Sequence, residues 1–173
     1  QPDADALRAA TWRLLGHLLA GPPDEALLDS LRALESPGER DIEQAWRVLR
    51  QAAIEHDAEA WEREYSALFI GLAEGELNPY ASWYLTGRVM DRPLARLRSD
   101  LARLGIERDP MSGEPEDHAG ALCETLSLLA DDPGVGFEQQ RDFYRSHAGT
   151  WLPRFFKDLS EAPSSRAYQG VAA

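Results

Sequence analysis

Asp109-Pro110-Met111-Ser112-Gly113-Glu114-Pro115-Glu116-Asp117-His118 is the stretch on which the fold reading turns. Two prolines, a glycine and a serine rule out a continuous helix through it. On both sides apolar residues recur at helical spacing: Leu94, Leu97, Leu101 and Leu104 before it, and Leu122, Leu126 and Leu129 after it. It is therefore a polar break between two amphipathic helices, and the region near residues 105–114 reads as a linker. Glu114-Pro115-Glu116-Asp117 reads as the first turn of the second helix, with His118 inside that turn. Proline is tolerated there because its missing N–H would have no intrahelical partner, and carboxylates meet the positive end of the helix dipole. Such an acid cluster with one histidine is either a cap or a grip for something cationic.

The same periodicity extends outward. Leu7, Thr11, Leu14, Leu15 and Leu18 mark a helix over 5–19, closed by Gly21-Pro22-Pro23. Asp24 caps a second helix with Leu27, Leu28 and Leu31 on its apolar side. Ser36-Pro37-Gly38 is a turn. A third helix, over about 39–54, carries Ile42, Ala45, Trp46, Leu49 and Ala53. Asp57 opens a fourth, where Trp61, Tyr65, Leu68, Phe69 and Leu72 form an aromatic stripe that fills a core. Gly71–Asn78 is a loop. Pro79-Tyr80-Ala81-Ser82-Trp83-Tyr84-Leu85 then places three aromatics within five positions, too close for all to face one way on a helix. Either Tyr80 and Tyr84 pair inward, or some of these rings reach a groove as peptide anchors. Gly105 caps the 91–104 helix, and Asp131-Asp132-Pro133-Gly134 stops the 119–129 helix. Phe137–Ser160 is interrupted by Gly149 and Pro153, with a break expected near Thr150. A short final helix turns Tyr168 and Val171 inward. No strand-like alternation or internal repeat is present, so the fold reads as an all-α, single-domain bundle of about eight or nine helices over residues 1–173.

Composition narrows the function classes. A net charge of −12 lacks the basic face that phosphate backbones require, so no nucleic-acid partner is expected. No apolar run is long enough to span a membrane, and Gln1-Pro2-Asp3-Ala4-Asp5 is acidic where a signal peptide is basic. The single cysteine, Cys123, allows no internal disulfide and reads as a buried, inert thiol. No Gly-x-x-x-x-Gly-Lys loop exists, because the sole lysine, Lys157, follows Phe156. His17, His56, His118 and His147 are scattered, and none has a second histidine at ligand spacing, so no metal, cofactor or catalytic residue is assigned.

Four separated stretches resemble one family: Glu64-Tyr65-x-x-Leu68-Phe69-x-Gly71, Pro79-Tyr80-x-Ser82-x-Tyr84, Glu114-Pro115-x-Asp117-His118, and His147-x-x-x-Trp151-Leu152-Pro153-Arg154-Phe155. Their order and spacing resemble those of the TorD, DmsD and NarJ type of chaperone, which matures molybdenum-dependent oxidoreductases. The resemblance runs from about Trp12 to Tyr168. It implies a non-enzymatic, cytoplasmic protein that binds the N-terminal leader of an apo-molybdoenzyme catalytic subunit, often a twin-arginine signal, and holds it for cofactor insertion. A leader that is basic at one end and apolar beyond needs acids for the arginines and an aromatic groove for the rest. The residues carried over as peptide-binding are Tyr80, Ser82, Trp83, Tyr84, Glu114, Pro115, Glu116, Asp117 and His118. Glu64, His147 and Trp151 are expected to hold helices together. The family commonly has an acid where Ala81 stands, which removes one carboxylate from the site. A monomer or a domain-swapped dimer hinged at 105–114 is compatible with this family. Two rival readings are a small helical hydrolase using Glu114, Asp117 and His118, and a structural adaptor in which the acids only cap.

Overall fold

Aspartates set several helix starts. Asp24 accepts a hydrogen bond from Leu27 N at 2.8 Å, Asp57 accepts one from Ala60 N at 2.8 Å, and Asp91 takes Arg92 N at 2.8 Å. The computed structural model describes residues 4–35, 38, 40–71, 75–107 and 111–173. Among them are ten α-helices and no strand: α1 (Ala4–Ala20), α2 (Glu25–Arg32), α3 (Asp41–Glu55), α4 (Ala58–Tyr65), α5 (Ala81–Thr86), α6 (Arg92–Arg103), α7 (Ala119–Asp131), α8 (Phe137–His147), α9 (Leu152–Glu161) and α10 (Gln169–Ala172). The all-α expectation holds. The number exceeds eight or nine because Ala81–Thr86 is a helix of its own and the 137–160 segment divides into α8 and α9. Leu72, the Ser36-Pro37 part of the first turn, and positions 108–110 of the expected linker lie outside the described residues.

The contacts gather into two compact units, residues 1–20 with 79–153 and residues 21–78 with 154–173. In the first, α1 lies along α7. Gly16 and Gly120 sit where the two helices approach: a Cβ on Gly120 would stand 3.1 Å from Ala20 N and from Gly16 O. Ser127 Oγ donates to Ala9 O at 2.8 Å across the same crossing. The contact face of α1 is thus Ala9, Gly16, Leu18 and Leu19, all buried, whereas Leu7 of the expected stripe is exposed. Backbone proximity, not side-chain bulk, chose the face. Gly105 takes φ +70°, and its N–H reaches Ala102 O while Ile106 N reaches Leu101 O. These paired bonds close α6 and satisfy carbonyls that would otherwise lack partners.

In the second unit the aromatic stripe is the core. Trp61 and Tyr168 are fully buried and meet edge to face, with centroids 5.0 Å apart. Phe69 lies against Tyr168 at 5.6 Å and Phe155 at 6.5 Å. After Tyr65 the chain makes one wider π turn, closed by Gly71 N donating to Ser66 O at 2.7 Å. Glu64, expected off the centre of the stripe, is buried. Its carboxylate accepts from the backbone N–H groups of Arg166, Ala167 and Tyr168 at 2.7, 3.0 and 2.8 Å. It therefore fastens the C-terminal segment, the structural role read from the sequence.

Candidate peptide-binding site

The second and third matched motifs meet in the first unit. Ala81 N donates to Asp117 O at 3.0 Å and Ala119 N donates to Pro79 O at 2.7 Å, a short antiparallel bridge between Tyr80 and His118. Side chains reinforce it. Ser82 donates to Asp117 Oδ2 from both its N–H, at 2.9 Å, and its Oγ–H, at 2.6 Å. Ser82 Oγ in turn accepts from Asp91 N at 3.3 Å. Tyr80 OH donates to Glu114 Oε2 at 2.6 Å, and the Tyr80 ring meets the His118 imidazole edge-on at 5.3 Å.

This geometry corrects the reading of 114–118 as a helix start. α7 begins at Ala119, and His118 is its N-cap, extended at ψ 139°, with Nδ1 accepting from Gly120 N at 3.1 Å. Glu114 to Asp117 form a turn before the helix, closed by His118 N donating to Pro115 O at 3.0 Å. The physical reason is the bridge: Asp117 and His118 must be extended to pair with residues 79–81. Each acid then has a separate task. Glu116 makes a bidentate pair with Arg98, at 2.8–3.0 Å. Asp117 is 1% exposed, and its Oδ1 has no hydrogen-bond partner among the described residues. His118 is 5% exposed, and burial lowers its pKa, opposed by Glu114 and then Asp117. A neutral imidazole with an unprotonated Nδ1 is what the cap requires.

The three aromatics separate. Tyr80 faces His118, Tyr84 lies against Trp151 at 5.5 Å, and Trp83 is exposed. Trp151 and His147 are structural: Trp151 Nε1 donates to His147 O at 2.8 Å, and His147 Nε2 bonds Asp100 Oδ2 at 2.6 Å. Cys123 is fully buried, which raises its pKa far out of the reactive range.

Glu114 and Glu116 also line a cavity of about 210 Å³ with Glu107 and Glu124, over an apolar surface that includes Leu101, Ile106 and Leu128. No cation lines it. Glu107 and Glu124 make no ion pair among the described residues. Sequence reasoning missed both: Glu124 sits on a helix counted as core, and Glu107 falls in the linker. The signal that was available is spacing. Glu124 is one residue after Cys123, on the solvent side of α7.

Hydrolysis finds no support here. Nδ1 of His118 is occupied by the cap and Oδ2 of Asp117 by Ser82, so the two are not a dyad. Among the described residues no group of three or more His, Cys, Asp or Glu could hold a metal, and no helix is long and apolar enough to cross a membrane.

The all-α fold and these interlocked motifs go with family evidence for a redox-enzyme maturation chaperone of the TorD type. The chain matches the model of the nitrate reductase delta subunit family over residues 37–157 and belongs to that family. It is 27% identical to the chaperone protein TorD of Shewanella loihica, over 99% of this chain and 89% of that protein. It is 32% identical to TorD of Actinobacillus pleuropneumoniae over 58% of this chain and 51% of that one. A crystal structure from Archaeoglobus fulgidus, assigned to redox enzyme maturation, matches with a TM-score of 0.63 at 22% identity. That match covers 99% of this chain and 91% of that one, and shows the same fold.

Proposed function

We propose that this chain is a cytoplasmic chaperone that binds the N-terminal leader of an apo-molybdoenzyme catalytic subunit and holds the subunit for cofactor insertion. The observation that carries the reading is the groove lined by Glu107, Glu114, Glu116 and Glu124 over Leu101, Ile106 and Leu128. Glu107 and Glu124, which make no ion pair among the described residues, suit guanidinium groups, and the apolar surface suits the stretch that follows them in a leader. A twin-arginine leader fits this charge pattern despite Ala81, because Glu107 and Glu124 add carboxylates that the matched motifs lack. Tyr80 and Asp117 then shape the edge of the groove through their bonds to Glu114 and Ser82, and His118 through its ring contact with Tyr80. Family membership and the TorD relatives support the chaperone role.

The test uses positions that carry no structural bond. Glu107→Gln with Glu124→Gln lowers affinity for a synthetic leader peptide about tenfold, the scale of one charge-assisted hydrogen bond or more. The unfolding midpoint stays unchanged. Undiminished affinity in this variant would move arginine recognition away from the groove.

A further inference from the structure

We propose a second binding site, in the same unit, for an acidic segment of a polypeptide partner that also carries apolar side chains. It deepens the chaperone reading and rests on it.

Helix α6 has two chemically opposed sides. Arg98 and Leu101 face the Glu116 side, already described. Arg96, Asp100 and Arg103, at i, i+4 and i+7, project from the opposite side into a separate cavity of about 500 Å³. Leu85, Pro93 and Leu97 form its apolar wall. Arg103 pairs with Asp100, and Asp100 also takes His147 Nε2, so that single carboxylate is already shared. Arg96 is exposed and has no hydrogen bond, ion pair or ring contact among the described residues. One guanidinium at the mouth of the cavity is therefore uncompensated.

The surroundings strengthen the charge. Arg92 stands one helical turn before Arg96, and Arg88 lies in the bend just before the helix, with Asp91 as their nearby acid. Four arginines against two aspartates is a local positive surplus in a chain of net charge −12. The apolar wall of Leu85, Pro93 and Leu97 beside the uncompensated Arg96 is complementary to a segment that pairs leucine-like side chains with glutamate or aspartate. A nucleic acid is disfavoured because the whole chain repels a phosphate backbone.

The experiment is titration calorimetry of the full chain with three peptides: one alternating leucine and glutamate, its glutamine counterpart, and a paired-arginine leader. The glutamate peptide binds at least about tenfold more tightly than the glutamine peptide. Arg96→Glu removes that preference and leaves leader affinity unchanged. Equal binding of the glutamate and glutamine peptides, or a preference that survives Arg96→Glu, overturns the site. Leader binding without any acidic preference overturns this inference alone. An acidic preference abolished by Arg96→Glu without leader binding sustains this site and overturns the leader reading.

Discussion

Asp117 shows how a residue that reads as a ligand also holds the fold. Its Oδ2 takes both hydrogen atoms that Ser82 offers, and its carbonyl takes Ala81 N. Asp117→Ala leaves a buried Ser82 N–H without its acceptor, so the variant loses about 2–3 kcal/mol of stability. Urea unfolding measures this; an unchanged midpoint would contradict the bridge as described. Loss of peptide binding in that variant alone would thus say little about recognition, which is why Glu107 and Glu124 are the better probes. His118 adds a pH dependence. Burial lowers its pKa in the folded chain, so the unfolded chain binds a proton where the folded one does not. The stability it contributes is present above the ordinary histidine value of about 6.5 and is lost as pH falls through the lower folded value. His118→Asn keeps a side-chain cap and removes the titration. Its stability should decline less between about pH 7 and pH 5 than that of the parent, read by denaturant unfolding at each pH.

At the scale of the element, the helices were legible wherever one local signal dominated. Asp24 and Asp57 cap as their positions suggested, Asp91 caps the helix it was expected to begin, and Gly105 closes α6. The start of α7 was not legible, because a non-local pairing with Pro79 and Ala81 pulled Asp117 and His118 into extended backbone against the local helix signal. The face of α1 was legible only in part, for a related reason: Leu18 is buried as expected, but Leu7 is exposed. Leucine spacing marked one face, but the close approach to α7 needed Gly16 opposite Gly120, and glycine has no hydropathy to announce it. Gly120→Val should therefore cost about 1–3 kcal/mol, since its side chain would meet Gly16 O, Ala20 N and the His118 cap. A thermal melt shifted downward is expected; a variant as stable as the parent would show that the helices can separate at no cost.

For the whole molecule, fold class and family motifs were readable from the sequence, while the composition of the two units was not. Residues 1–20 join 79–153, and 21–78 join 154–173, a partition set by long-range contacts that segment-by-segment periodicity does not contain. The candidate site was readable as a set of motifs but not as a surface. Tyr80, Ser82, Glu114, Asp117 and His118 do come together, yet the carboxylates of the groove without an ion pair among the described residues are Glu107 and Glu124. A charge of −12 is spread so that one side of α6 gathers acids and the other gathers arginines. The chaperone account rests on that acidic side taking a basic leader. Calorimetry of the full chain with two peptides tests this: an apolar stretch after paired arginines, and the same peptide with those arginines replaced by glutamine. The account predicts micromolar binding of the first, weakened by added salt, and at least about tenfold weaker binding of the second. Equal affinity for both, unaffected by salt, would contradict it.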